Sequence, residues 1–326
     1  MALTLVFIPV LISGTLISIS ATSWVVAWMG LEINLMAFIP LMSSPTNQLS
    51  NESMLKYFLT QAFASSILML GILSSMFLVL ESSTLLISGK TLIMMALTLK
   101  LGAAPFHFWF PTVMSGLSWM NCFLLMTWQK LAPLFLLISA NSSYIMAATV
   151  LSAIVGALGG FNQTLLRKIL AYSSINHLGW MLFSSLISKT LFLTYFWVYS
   201  VLTMTMTVMF ASWNINSLAQ TPSFSSSMPL SSAFSTNLLS LGGLPPFLGF
   251  LPKWMVIQAA VFIMPAPTLL LILMSLLTLF YYLRVTYNTF LKSQSMSPLV
   301  SPSFNTSPAL LTTLSATGLM VILPLM

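Results

Sequence analysis

The chain has 326 residues, of which 58% are hydrophobic and only 4% are charged. Soluble globular domains carry about 25% charged residues, so this composition excludes a soluble fold and predicts a membrane protein. The net charge of +7 comes from cations scattered singly between apolar runs, unlike the clustered basic face of a nucleic-acid-binding protein.

The apolar runs predict an all-α polytopic membrane protein that forms a single membrane domain over residues 1–326. A transmembrane helix needs about 20 mostly apolar residues, and these runs are too long and too uniform for barrel strands. We predict about eleven transmembrane helices, two of them broken, at residues 3–22, 24–43, 54–79, 84–111, 117–139, 144–162, 168–187, 190–213, 232–264, 267–291 and 308–326.

The distribution of cations predicts the orientation of these helices, because lysine and arginine favour the inner side of a membrane. The loops and helix ends on the N-terminal side carry Lys56, Arg167, Lys168 and Lys292. The opposite side carries Lys90 and Lys189. The excess places the N-terminus on the inner side, which is the matrix if the protein is mitochondrial.

Glycine and proline interrupt two of the predicted spans. The helix-break residues are Gly102 and Pro105 in the fourth span and Gly242, Gly243, Pro245 and Pro246 in the ninth. The broken spans stand an odd number of spans apart, so equivalent helices enter the membrane from opposite sides. Paired interruptions of this kind indicate an inverted-topology repeat and a transport site. We therefore predict an inverted five-helix repeat, with one copy at about 1–140, a second at about 144–291, and a C-terminal helix at about 308–326 outside both.

Five ionisable side chains fall near the middle of a predicted span: Glu32, Lys100, Lys130, His177 and Lys253. A charge at a helix centre costs at least about 2.5–3.5 kcal/mol, so these groups must face the bundle interior and meet a partner or water. Burial favours the neutral form of an amine, and a nearby carboxylate favours the charged form again. A carboxylate–lysine pair whose distance or hydration changes can therefore take up and release a proton.

Structural interpretations remain open for two of these cations, Lys253 and His177, and for His107 in the first break. Lys253 could extend its ammonium group to a lipid headgroup or pair with another subunit. His177 could be a buried, hydrogen-bonded histidine with no part in proton transfer. His107, just after Pro105, could serve only to cap carbonyls that the helix break leaves free.

Cys122 is the single cysteine of the chain. An iron–sulfur cluster takes about four cysteine ligands, and no dinucleotide-binding glycine motif follows a strand. The sequence therefore predicts no metal-binding, cofactor-binding or catalytic residue in this chain. Its 24 methionines, with so little cysteine and charge, are typical of proteins made inside animal mitochondria.

Five collinear segments resemble the antiporter-like membrane subunits of animal mitochondrial respiratory complex I, and among them the subunit 2 group. The segments are Gly30–Asn34, Lys100–Trp109, Thr127–Pro133, Ser173–Trp180 and Gly242–Trp254. The resemblance runs in order from about residue 20 to residue 290. It implies a core membrane subunit of a proton-pumping NADH:ubiquinone reductase, in the mitochondrial inner membrane.

The resemblance also implies a role for each buried charge. Glu32 matches the glutamate that pairs with the lysine before the first break, here Lys100. Lys130 matches the central lysine of the proton path, and Lys253 matches the lysine after the second break, near the outlet. His177 lies in a matching motif and would link Lys130 with Lys253.

The implied protein moves protons while NADH oxidation and ubiquinone reduction take place elsewhere in the complex. The resemblance places NADH, FMN, iron–sulfur clusters and ubiquinone in other subunits, and implies contacts with membrane lipid and with antiporter-like neighbouring subunits, but none with nucleic acid. Two alternatives are a free-standing cation/proton antiporter and a purely structural membrane spacer.

Overall fold

Helices are the regular structure of this chain wherever the computed structural model describes it, at residues 2–44, 47–77, 83–140, 144–221 and 228–290. In those ranges the only β-type pairing is an isolated antiparallel bridge between Leu165 and Ser217. An apolar environment favours this outcome, because a helix satisfies its own backbone hydrogen bonds. The predicted all-α fold is confirmed.

The residues cluster into two compact units, Met1–Leu151 and Ser152–Met326. The first contains α1 Ala2–Ser20, α2 Trp24–Met42, α3 Gln48–Phe77, α4 Ser83–Leu101, α5 Trp109–Gly116, α6 Trp119–Met126 and α7 Trp128–Ala140, and the start of α8 Tyr144–Gly160. The second contains the rest of α8 and α9 Leu166–Ile187, α10 Lys189–Trp213, α11 Met228–Gly242, α12 Phe250–Ala260 and α13 Pro265–Phe290.

Helices underlie the first ten predicted spans, and the predicted C-terminal helix at 308–326 lies outside the described residues. Five described segments are both long and apolar enough to cross a bilayer: Trp24–Met42, Gln48–Met76, Trp119–Ala140, Lys189–Trp213 and Pro265–Thr289. The polytopic membrane class is confirmed, whereas the count of eleven helices and the inverted repeat stay predictions.

Close helix packing in the first unit positions α2, which carries Glu32. Gly14 of α1 and Gly30 of α2 face each other so tightly that a Cβ atom on Gly30 would lie 2.7 Å from the backbone nitrogen of Ser18. Small residues allow such close approach between membrane helices. The position of α2 is therefore fixed by its backbone contact with α1.

The predicted span at 117–139 is interrupted between α6 and α7, at Thr127. The Thr127 hydroxyl donates to the carbonyl of Phe123 at 2.8 Å, which competes with continuation of the helix. Pro133 removes a further helical hydrogen bond from α7, because proline has no N–H to donate to the carbonyl four residues before it, here that of Gln129.

Candidate functional site

The first helix break begins with a glycine turn at the end of α4. Gly102 adopts a φ of 69°, a left-handed conformation that favours glycine. Its N–H donates to the carbonyl of Leu99 at 3.1 Å, and the N–H of Ala103 donates to that of Thr98 at 3.1 Å. This pair of bonds is a Schellman motif, which ends the helix directly after Lys100 and Leu101.

Two neutral side chains bond the last carbonyls of α4. The indole Nε1 of Trp109, the first residue of α5, donates to the carbonyl of Leu99 at 3.0 Å. The amide Nε2 of Gln61 on α3 donates to the carbonyl of Lys100 at 3.3 Å. The break is therefore stabilised by neutral donors, and the ammonium group of Lys100 is directed elsewhere.

Lys100 and Lys130 line the same buried cavity in the first unit. Its remaining polar lining comes from Asn34, Tyr57, Gln61 and Gln129. The cavity offers about 20 Å³ to the centres of water-sized molecules, which is room for a water molecule. Two cations far apart in the sequence thus share one polar space inside an apolar bundle.

Lys130 is one of the most deeply buried side chains of the chain, with 1% of its surface exposed. Its ammonium nitrogen lies 5.1 Å from the ring centroid of Phe110, within the range of a cation–π interaction. Phe110 belongs to α5, directly after the first break. The broken helix therefore supplies part of the electrostatic environment of Lys130.

An amide pair that the sequence did not predict borders the cavity. The Nδ2 of Asn34 donates to the Oε1 of Gln129 at 3.0 Å, and the Nε2 of Gln129 donates to the Oδ1 of Asn34 at 3.1 Å. The Tyr57 hydroxyl donates to the same Oε1 at 3.3 Å. These contacts join α2, α3 and α7 at the level of Lys130.

Glu32 lies beside the cavity and is half-buried. Its carboxylate interacts electrostatically with Lys100 and with Tyr57. Of the described residues, only Lys56 and Glu52 form a salt bridge, at 3.5 Å. The implied pairing of Glu32 with Lys100 is thus a longer-range interaction than direct contact.

The helical repeat explains this separation. Leu31, Asn34 and Leu35 line the cavity, and their spacing places them on one face of α2. Glu32 is rotated by about 100° from Leu31 around the helix axis, so it lies outside that face.

The second break repeats the glycine turn in the second unit. Gly243 has a φ of 78°. Its N–H donates to the carbonyl of Ser240 at 3.0 Å, and the N–H of Leu244 donates to that of Leu239 at 3.3 Å. Gly242, also predicted as a break residue, is the last residue of α11, and a Cβ there would meet only ordinary contacts of 3.5 Å or more.

The lysine itself caps the second break. The Nζ of Lys253, in α12, donates to the carbonyl of Gly242 at 2.9 Å. A Cβ atom on Gly243 would lie 3.0 Å from that Nζ, so the left-handed glycine also provides the space that the lysine occupies. Lys253 is 5% exposed and bonds within the unit.

His177 lies among tyrosines of the second unit. Its Nδ1 is 2.9 Å from the hydroxyl of Tyr195, and its ring centroid is 5.1 Å from that of Tyr199. A cavity of about 10 Å³ is lined by these three residues, by Gly249 of the second break and by Pro252 of α12. His177 therefore borders the segment that carries Lys253, and its ring has a hydrogen-bond partner.

His107 lies inside the first break. Its Nδ1 is 3.2 Å from the carbonyl of Pro105, which belongs to the same break. In the described ranges, no group of three or more histidine, cysteine, aspartate or glutamate side chains is placed to hold a metal ion.

The chain is apolar and all-α, and it buries lysines beside two interrupted helices. These features define a polytopic membrane protein with polar groups in its interior. Residues 21–280 match the family described as NADH:quinone oxidoreductase/Mrp antiporter, TM. The chain belongs to this family.

Similar proteins are named NADH-ubiquinone oxidoreductase chain 2. The protein from Anopheles gambiae is 50% identical over 311 residues, which cover 92% of this chain and 90% of the relative. The protein from Locusta migratoria is 43% identical over 312 residues, covering 92% and 91%. The protein from Hylobates lar is 42% identical over 295 residues, covering 85% and 82%.

Solved structures share the fold. A chain of respiratory complex I from Thermus thermophilus, solved with bound aureothin, matches with a TM-score of 0.82 and 23% identity over 98% of this chain and 78% of that chain. A chain of the Mrp complex from a Dietzia species matches with a TM-score of 0.82 and 16% identity, covering 98% and 75%. Both belong to multi-subunit membrane complexes.

Proposed function

We propose that this chain is a membrane-arm subunit of a proton-pumping NADH:ubiquinone oxidoreductase and that its buried lysines carry the protons. The observation that carries the proposal is the polar cavity shared by Lys100 and Lys130. Maintaining such a cavity in an apolar bundle is costly, because each intramembrane charge must be compensated. The names of the similar proteins support the assignment to this complex.

In the first unit the proton-carrying groups are Lys130 and Lys100. A proton leaves the ammonium nitrogen of Lys130, crosses a water molecule in the cavity, and adds to the neutral amine of Lys100. One N–H bond breaks and another forms, so the charge moves and no redox step takes place in this chain. The carboxylate of Glu32 interacts electrostatically with Lys100.

In the second unit the corresponding groups are Lys253 and His177. Lys253 holds its proton against the carbonyl of Gly242, and His177 lies in the adjoining cavity with Tyr195. We infer that both act in proton transfer to or from the second break. The histidine can exchange a proton through either ring nitrogen.

The proposal also implies a location and partners for the chain. It is a multi-pass protein of the mitochondrial inner membrane with its N-terminus on the matrix side. Large apolar side chains exposed on α3, such as Leu59 and Phe63, face lipid or neighbouring antiporter-like subunits. NADH, FMN, iron–sulfur clusters and ubiquinone bind to other subunits of the complex.

Lys130→Met in the assembled complex tests the proposal. We expect NADH-driven acidification of the lumen of inside-out vesicles to be lost, because methionine has a similar size and cannot hold a proton. Lys56→Met is the matched control, since Lys56 is exposed and paired with Glu52 on α3, and it should pump normally. Full pumping by Lys130→Met in assembled complex would overturn the proposal in favour of a structural spacer.

The second candidate function is a free-standing cation/proton antiporter, and the fold shared with a chain of an Mrp complex favours it. The two candidate functions differ in whether the chain can transport protons without other subunits. The purified chain alone, reconstituted in liposomes, should show no cation-dependent proton exchange. Exchange by the isolated chain would favour the antiporter.

A further inference from the structure

The first turn of α7, which carries Lys130, departs from regular helical hydrogen bonding at two points. The helix is interrupted at Thr127, where the N–H of Lys130 donates to the carbonyl of Thr127, three residues back, at 3.2 Å. Pro133 has no N–H, so the carbonyl of Gln129 lacks its usual helical bond. Side-chain contacts can therefore add to the backbone in setting the direction in which Lys130 points.

The amide of Gln129 provides such contacts. It forms two reciprocal hydrogen bonds with Asn34 and accepts a third from Tyr57. The three bonds tie the residue directly before Lys130 to α2 and α3, the two helices that face it across the cavity. Asn34 is 3% exposed and Tyr57 is 3% exposed, so water does not compete freely for these groups.

The arrangement also matches the needs of the cavity. Each amide pairs through its oxygen and one N–H, and retains a second N–H that can donate to a water molecule. Asn34 and Gln129 both line the cavity with Lys100 and Lys130. The pair thus holds the wall of the water site and the lysine beside it in one hydrogen-bonded unit.

We propose that Asn34 and Gln129 are positioning residues for proton transfer between Lys130 and Lys100. The amide pair fixes the first turn of α7 so that the Lys130 ammonium faces the water site, and it couples that turn to the helix that carries Glu32. This proposal rests on the proposed function, because it assigns the geometry of the same lysines.

Isosteric removal of the amides tests the proposal in the assembled complex. Gln129→Met and Asn34→Leu each delete the reciprocal bonds while keeping the side-chain volume. We expect the rate of NADH-driven proton pumping to fall about tenfold in each, as the loss of positioning bonds predicts. The pH profile of turnover should also change, and a merely structural role would leave it unmoved. Gln48→Met, at an exposed position of α3, is the control.

The exchanged pair gives a rescue test. Asn34→Gln combined with Gln129→Asn keeps both amides and their total length, so it should restore pumping to within about twofold of the parent chain. Either substitution alone should not. Tyr57→Phe removes only the third bond and should lower pumping about twofold, so it tests the proposal even if the apolar variants do not assemble.

The outcomes separate this inference from the proposed function. If Lys130→Met abolishes pumping while Gln129→Met, Asn34→Leu and Tyr57→Phe keep the parent rate and pH profile, the positioning role is wrong and the proton-carrying role stands. If Lys130→Met itself pumps fully, the proposed function fails. An exchanged pair no better than its single variants would also contradict the positioning role.

Discussion

The two helix breaks use the same backbone turn but place their lysines on opposite sides of it. Lys100 lies in the last turn before its break, whereas Lys253 lies in the helix that follows its break. In both units a left-handed glycine closes a Schellman motif, at Gly102 and at Gly243. The turn is thus common to both breaks, and the lysine is not part of it.

The connections are equally long, at residues 102–108 and 243–249. When the two sequences are aligned at Gly102 and Gly243, Pro105 corresponds to Pro246 and Pro111 corresponds to Pro252. Proline suits both positions, since it cannot continue a helix and is tolerated near the start of the next. The similarity between the breaks therefore resides in residues that shape the backbone.

The caps differ. At the first break Trp109 and Gln61 bond the freed carbonyls, and Lys100 lines a water-sized cavity. At the second break the Lys253 ammonium is itself the cap of Gly242. A lysine relieved of capping is free to exchange protons with water, whereas a lysine that caps must break a hydrogen bond to do so.

The largest expected difference follows from replacing each lysine by methionine. Both Lys100→Met and Lys253→Met should lower proton pumping. Lys253→Met should also destabilise the complex by about 1–3 kcal/mol, because the carbonyl of Gly242 loses its donor in a buried site. Thermal unfolding of the assembled complex measures this, and a larger loss for Lys100→Met would contradict the difference in capping.

A smaller effect is expected at the glycine of the second break. Gly243→Ala forces alanine into the left-handed region, which costs about 1–2 kcal/mol, and places a Cβ against the Lys253 ammonium. Gly242→Ala is the matched control, because its neighbour atoms lie at ordinary contact distance. Stability and pumping should fall for Gly243→Ala alone; equal behaviour of the two variants would refute the role of the turn.

Removing the neutral cap at the first break should cost less. Gln61→Met deletes the donor to the carbonyl of Lys100, but water in the adjoining cavity can replace it. We expect a loss of about 1 kcal/mol in thermal stability. A loss as large as that of Lys253→Met would show that the two breaks are capped in equivalent ways.

The smallest effect concerns His177. Tyr195→Phe removes the hydroxyl that bonds its Nδ1 and should destabilise the complex by about 0.5–1 kcal/mol. Proton pumping should fall as well, because we infer that His177 takes part in proton transfer. Unchanged pumping with lower stability would identify His177 as a structural histidine of the second unit.

The backbone features and the buried cations were predictable from the sequence. Gly102 and Gly243 precede prolines inside apolar runs. Burying a lysine in such a run costs so much free energy that even a single one indicates a functional site. The sequence does not show which of Gly242 and Gly243 forms the turn. Only the observed φ values separate Gly243, which needs the left-handed conformation, from Gly242, which does not.

The polar partners of the lysines were not predictable. The bonds between Asn34, Tyr57 and Gln129 join helices far apart in the sequence, and no local spacing encodes such a pairing. Gln129 is adjacent to Lys130, and Tyr57 and Gln61 are one helical turn apart. Neither spacing identifies a partner of the lysines without the structure. The resemblance implies that Glu32 pairs with Lys100, and in the structure Glu32 lies beside the cavity and interacts electrostatically with Lys100.

The proposed function requires Lys100 and Lys130 to exchange protons through water in their shared cavity. A map of the assembled complex that resolves ordered water tests it most directly. We expect a water molecule in this cavity within hydrogen-bonding distance of a lysine nitrogen and of the Asn34–Gln129 pair. A cavity closed by apolar side chains, with the Lys130 nitrogen bonded only to protein groups that cannot accept its proton, would contradict it.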